Sequence, residues 1–344
     1  MHKFAVLALL SAALGIRCAA AQQAEDIEKS AAGGITPAAE AAIDRALGFL
    51  AANQQEDGSV GSGAYRSNVA VTALAGMAFL AHGSTPDRGP YGRNISRCLD
   101  YLLAKTQPSG FVASADSSSQ GAMYGHGFAT MFLAECYGMS LRPELREKLA
   151  QAVRLIISTQ NKEGGWRYQP QRLDADISVT VCEVMALRAA RNAGLHVPRE
   201  TIDRSIEYIK RCQNADGGFM YMASHGGESA PARSAAGLAA LYSAGVYQGP
   251  ELTKGLEYLM RFLPQPGVSR RENYYFYFHY YAAQAMWQAG GQYWKRWYPA
   301  VRDELLSRQR KDGSWICPIS VEAATAMAAV VLQVPNNCLP ILQR

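Results

Sequence analysis

The chain has 344 residues, 49% of them apolar or aromatic and 18% charged, with a formal net charge of +5. That length carries one large domain or two smaller ones. The charge is too mild and too dispersed for a nucleic-acid-binding surface, and no run after the N-terminus is apolar enough for a membrane helix.

Lys3, the apolar stretch Phe4 to Ile16 and the small residues Ala19 to Ala21 have the order of a secretory signal peptide, which predicts cleavage after Ala21 and an exported, soluble product. Cys18 is removed with it. Residues 22–35 read as a flexible linker. Of the remaining cysteines, Cys98, Cys136, Cys182, Cys212, Cys317 and Cys338, none has CxxC spacing, and most sit singly in apolar helical patterns as buried thiols do. Cys317 with Cys338 is the first pair to consider for a disulfide in an exported protein.

From residue 36 onward the pattern is helical throughout, with no period-2 strand. "PAAEAAIDRALGFLAA" is amphipathic and opens with proline; "NVAVTALAGMAFLAHG" is apolar around its circumference. The same alternation of a surface helix and an inner helix returns in "RPELREKLAQAVRLIISTQ" and "ISVTVCEVMALRAARNAG", which ends at Gly194, and again in "GPELTKGLEYLMRFL" and "NYYFYFHYYAAQAMWQAGG". After each surface helix comes a glutamine, then glycine, then usually an apolar or aromatic residue. The anchors Gln54, Gln107, Gln160, Gln213, Gln265 and Gln309 are spaced by 53, 53, 53, 52 and 44 residues. Six such hairpins predict an all-α fold, a single α/α toroid of about twelve helices over residues 36–344; an open solenoid is the alternative. The Gln and Trp turns read as scaffold.

"QNKEGGW" (Gln160 to Trp166), "QNADGGF" (Gln213 to Phe219) and "QRKDGSW" (Gln309 to Trp315) resemble the repeat of the squalene cyclase and protein prenyltransferase β-subunit superfamily, and the resemblance runs from about Thr36 to Val334. It implies the toroid. For activity it implies less, because the cyclases have two such barrels. Class II terpene cyclases carry a DxDD motif whose middle Asp protonates the substrate. "DADI" stands in a similar place, with Asp174 as the first Asp, Asp176 as the proton donor and Ile177 where the family has its last Asp. The zinc triad of the prenyltransferases and the Cys-Gly-Glu-Gln of the complement-type thioester domains are absent from the sequence, so no metal or other cofactor is expected.

Site candidates follow from residue type and place. Asp176 and Asp174 are spaced i, i+2 before an inner helix. Asp176 is either an acid or a helix cap, as Asn68, Ser229, Asn273 and Ser320 are expected to be at other inner-helix starts; the pair could also hold a proton or Ca²⁺. His126, between Gly125 and Gly127, and Tyr124 open another inner helix. Tyr275 and His279 share a face at i, i+4 spacing, suited to stabilising a cation or stacking on a sugar, or to filling the barrel. Arg233 is an unexpected charge near an inner-helix start, able to pair with Asp174 or Asp176 or to bind an anion. Glu322 holds a similar place. Asp174, His126 and Arg233 are expected to share a central opening. Three functions remain open on this reading: a secreted protein that binds an apolar or isoprenoid-like ligand, with or without chemistry on it; a secreted polysaccharide lyase or hydrolase acting on a glycan; or a non-catalytic interaction domain. The sequence leaves the oligomeric state undetermined.

Overall fold

The computed structural model describes residues 34–114, 121–265 and 274–343. The signal peptide, most of the linker, Cys18 and Asn273 lie outside the described residues.

Thr36 starts the first helix. Its hydroxyl accepts the Ala39 N–H and Pro37 occupies the first helical position, where a missing N–H costs nothing. The described residues form twelve α-helices, in chain order α1 (Pro37–Ala52), α2 (Val69–Ala81), α3 (Gly92–Ala104), α4 (Ala122–Cys136), α5 (Leu145–Thr159), α6 (Ile177–Asn192), α7 (Arg199–Arg211), α8 (Pro231–Ser243), α9 (Pro250–Met260), α10 (Tyr275–Ala289), α11 (Gly291–Arg308) and α12 (Val321–Gln333). Among the described residues there are isolated β-bridges but no strand. The even-numbered helices pack on one another in the cycle α2, α4, α6, α8, α10, α12 and back to α2, and the odd-numbered helices lie outside them. This is the predicted toroid; the open solenoid is excluded by the α12–α2 contact.

The sequence sorts helices into rings through the breadth of their apolar face. Every residue of α2 except Ala70 is buried, whereas α7 buries only Thr201, Ser205, Tyr208 and Ile209. One joint, found in four of the turns, ties a hairpin to the next. The Gln160 side-chain amide donates to Gly164 O in its own turn and to Thr201 O in the next outer helix. Gln54 does the same to Gly58 O and Asn94 O, and Gln213 to Gly217 O and Glu251 O. Gln309 bonds Gly313 O and Ala42 O of α1, so this joint also closes the ring. The turn glycine beneath each glutamine has positive φ and lies against a carbonyl of the next outer helix. A Cβ on Gly164 would stand 2.2 Å from Arg204 O.

The second repeat departs from the expected register. Gln107 is exposed, and Thr106 pairs with Val112 as Gln54 does with Val60 and Gln213 with Phe219. The turn has the same length, but Thr106 stands at the joint position and the glutamine falls one residue past it. At the far end of the toroid, the chain after α12 crosses the C-terminal ends of the inner helices. Asn336 bonds Ala81 O, Gln288 bonds Gln343 O, and Leu339, Ile341 and Leu342 are buried. That end is closed. The other end, where the inner helices begin, is open. The six cysteines are free thiols, Cys317 and Cys338 included.

Gly164 and Gly194 both have positive φ, but nothing lies within 4 Å of a Cβ on Gly194. Gly194→Ala is expected to cost about 1 kcal/mol for the backbone conformation alone. Gly164→Ala adds the clash with Arg204 O and is expected to cost at least ~2 kcal/mol more. Urea denaturation of the two variants checks the difference.

Candidate functional site

A cavity of about 1150 Å³ opens between the first turns of the inner helices. Its deeper wall is apolar, with Leu74, Phe128 and Met327, and tyrosines surround the upper part: Tyr124, Tyr168, Tyr221 and Tyr277. Among the described lining residues Arg233 is the single charged one.

Asp176 stands beside this cavity and is fully buried. The turn before α6 fixes it. Its N–H donates to Trp166 O, the next N–H, of Ile177, donates to Tyr221 O, and the Tyr208 hydroxyl donates to Ala175 O. Its Oδ1 caps α6, accepting the Ser178 and Val179 N–H groups at 2.9 and 3.0 Å. Its Oδ2 is buried without a hydrogen bond of standard geometry; Arg167 Nε is 3.6 Å away. Burial pushes the carboxyl up to about 6, opposed by the two cap bonds, the Arg167 charge and the Tyr221 hydroxyl. Asp174, by contrast, is half-exposed and ion-paired to Arg167. The Arg167 guanidinium also lies over the rings of Tyr168 and Tyr221, 4.9 and 5.8 Å from their centres.

The expected convergence of Asp174, His126 and Arg233 does not occur, because each is engaged elsewhere. His126 is fully buried in α4. Its Nδ1 accepts the Val112 N–H at 3.1 Å and its Nε2 lies 3.3 Å from Ala152 O. The same post is held by Thr72, Thr180, Ser234 and Thr325, which accept the N–H of Val60, Trp166, Phe219 and Trp315. His126 is thus the repeat's fastening residue in a larger form. Burial holds it neutral, down to about 4, against the opposing bond to Ala152. Arg233 lines the rim, where its side chain donates to Phe219 O and Glu228 O; the cation beside the two aspartates is Arg167.

Tyr124 does line the cavity, and burial raises its pKa. Tyr275 and His279 face outward instead. Arg308 lies 4.2 Å from the Tyr275 ring centre, and His279 is packed among Tyr275, Phe278 and Trp297, its pKa lowered to about 3 by burial and then by Arg308. Tyr277 of α10, and Tyr274 just before that helix, line the cavity instead. Glu322 is buried in the first turn of α12 and accepts the Ser320 hydroxyl. Of the expected caps, Asn68 and Ser320 fill that role. Ser229 does not: the cap position is Ala230, and the Ser229 hydroxyl donates to Asp216. Arg167, Tyr168, Tyr221 and Tyr277 were missed. The signal for the two repeat tyrosines was present in "GGWRY" and "GGFMY", read only as scaffold. Among the described residues no cluster of His, Cys, Asp and Glu is arranged to hold a metal ion, and no helix is long and apolar enough to cross a membrane.

The model of the prenyltransferase alpha-alpha toroid domain matches residues 64–273. The chain belongs to this family. A drimenyl diphosphate synthase from Streptomyces showdoensis is 28% identical over 181 residues, which are 52% of this toroid chain and 32% of that protein. The toroid chain thus spans about a third of that relative's length. Among solved structures, a variant of the type II terpene cyclase MstE from Scytonema, in complex with its product merosterolic acid A, superimposes with a TM-score of 0.61 at 15% identity, covering 88% of this chain and 98% of that one. A cellobiose 2-epimerase from Bacillus thermoamylovorans gives 0.65 at 12% identity over 85% and 96%, and a GH76 α-mannanase from Bacteroides thetaiotaomicron gives 0.63 at 10% over 87% and 95%. At these identities the likeness is one of fold.

His126→Ala leaves the Val112 N–H without an acceptor and opens a hole, so a loss of about 2–4 kcal/mol is expected at pH 7.5. His126→Thr restores the acceptor found in the other repeats and is expected to recover part of it. The histidine's folded pKa of about 4 lies below its ordinary value of 6.5, so its contribution is complete above pH 6.5 and is lost as pH falls to 4. His126→Thr is therefore expected to lose less stability than wild type between pH 6.5 and 4, as read by thermal unfolding across that range.

Proposed function

We propose that this chain binds a linear isoprenoid in its central cavity and cyclises it by protonating an alkene, with Asp176 as the source of the proton. The observation that carries this reading is the buried Asp176 carboxyl beside a large apolar, tyrosine-rich cavity. An alkene is a poor base, so its protonation needs an acid whose conjugate base is stabilised and a chamber that keeps water from the cation. Arg167 and the α6 N–H groups stabilise the carboxylate. They take the part that a further acidic neighbour would play, since Ile177 follows Asp176. The aromatic rings offer their faces to positive charge as it forms along the chain. The family relationship, and the terpene cyclase names among the relatives, support the same substrate class.

A glycosidase would place a pair of carboxyl groups across a polar cleft. Among the described lining residues no carboxylate faces the cavity, so the likeness to the mannanase and the epimerase remains one of fold.

In D2O, incubation with farnesyl and geranylgeranyl chains, as alcohols and as diphosphates, is expected to give cyclic products with one deuterium at the protonated carbon, read by mass spectrometry. Asp176→Asn retains the cap and is expected to keep a thermal midpoint close to wild type while abolishing product. Turnover by Asp176→Asn, or none by wild type, overturns the reading.

We also propose that the protein acts after export, on the strength of its N-terminal segment. The exported protein is expected to begin near Gln22 by intact-mass measurement; a mature chain retaining residues 1–21 rejects this.

A further inference from the structure

Asp176 is fully buried and does not itself line the cavity. Two hydroxyls of the cavity wall belong to the turns on either side of Asp176. Tyr168 and Tyr221 are hydrogen-bonded to each other through their oxygens, and both line the cavity. Arg167, whose guanidinium lies over both rings, has its Nε 3.6 Å from Asp176 Oδ2. That oxygen makes no hydrogen bond of standard geometry and is the one left free to meet the Tyr221 hydroxyl. The backbone holds this pair in place. The Tyr168 carbonyl accepts the Met123 N–H at the start of α4, and the Tyr221 carbonyl accepts the Ile177 N–H at the start of α6.

The two tyrosines are the same residue of the repeat. Each follows its joint glutamine by the same interval, and the corresponding positions after Gln54, Thr106 and Gln309 are Ser62, Ser114 and Cys317. Where the scaffold alone is required, a small side chain suffices. The large phenol occurs in the two neighbouring repeats that flank Asp176. Arg167, between the two tyrosines and over both rings, likewise replaces Gly61, Ala113, Met220 and Ile316 of the other repeats. A departure from the repeat confined to adjacent copies and meeting at one hydrogen bond is unexplained by packing.

We propose that Tyr221 and Tyr168 form a proton relay from Asp176 to the cavity, so that the group meeting the substrate is a phenol hydroxyl and not the carboxyl. This rests on the reading of the site given above. In the step, the Asp176 O–H bond breaks as its proton passes to the Tyr221 oxygen. The Tyr221 proton passes to the Tyr168 oxygen, and the Tyr168 proton forms a C–H bond with one alkene carbon using the π electrons. The other alkene carbon becomes cationic. Both tyrosines begin and end neutral, and the charge left behind is the Asp176 carboxylate beside Arg167. The cyclic cation then gives up a proton to solvent water, and the Asp176 carboxylate takes one back from solvent, so that the substrate is isomerised with no net proton change and the acid is restored. Arg167 acts as a positioning residue, holding the two rings and favouring proton release.

The test uses the full mature chain with the isoprenoid probe that wild type converts. Tyr221→Phe and Tyr168→Phe keep the rings and remove the hydroxyls. Each is expected to lower kcat by about 100-fold or more, the scale of a lost acid–base group, while KM changes less than about 3-fold. Near-wild-type kcat in Tyr221→Phe, with Asp176→Asn inactive, overturns the relay and leaves the cyclase reading standing. No turnover by wild type overturns both. A second measurement does not depend on turnover. The infrared carboxyl band that disappears in Asp176→Asn is titrated in Tyr221→Phe. Its midpoint is expected to rise above that of wild type, because the hydroxyl that favours the carboxylate is gone. An unchanged midpoint means that the hydroxyl and the carboxyl are not in contact, and the relay fails.

Discussion

The joint between neighbouring hairpins is the constraint on which the rest of the molecule depends. A glutamine amide has two N–H donors, and in four turns it spends them on its own glycine carbonyl and on a carbonyl of the next outer helix. The glycine below it must lack a Cβ for the helix to approach. Together they fix the angle between hairpins. Gln309 makes the same bonds to α1, so the angle repeated around the ring also closes it, and residues at opposite ends of the described chain become neighbours.

Closure has a chemical consequence. The inner helices all begin at one end, so their first turns and caps gather around one opening while the chain after α12 covers the other. Helix starts are where free N–H groups accumulate and where Asn, Asp and Ser are favoured. Asp176 is one of these caps. The cap bonds use Oδ1 alone, which leaves Oδ2 for other work, and burial makes that oxygen hold a proton nearly to neutral pH. Capping and acid chemistry are therefore compatible in one side chain, with the N–H groups that stabilise the helix also stabilising the conjugate base.

The repeat also separates fastening from function by comparison between its own copies. His126 stands out as a sequence feature, yet the Thr and Ser residues at the same post show what it does: it accepts one backbone N–H. Tyr168 and Tyr221 are inconspicuous in sequence, yet their counterparts are small. A residue that differs in size but keeps the contact is scaffold. One that differs and makes a new contact is a candidate for function.

By itself the sequence determined the helices, their sorting into surface and inner sets, the six-fold repetition and the family, because these follow from local periodicity and from turn chemistry that recurs in register. It also placed Asp176 at an inner-helix start, where either role is local in origin. Only the tertiary structure decided which face of each inner helix looks into the cavity. Tyr275 and His279 are adjacent on a helical wheel but lie against α11, and Tyr277, two residues on, reaches the centre. It also decided that Arg167, not Arg233, accompanies the aspartates. The reason is physical: an inner helix is apolar around its whole circumference, so its sequence carries no polar face to reveal its rotation. That rotation is set by the packing of the closed ring.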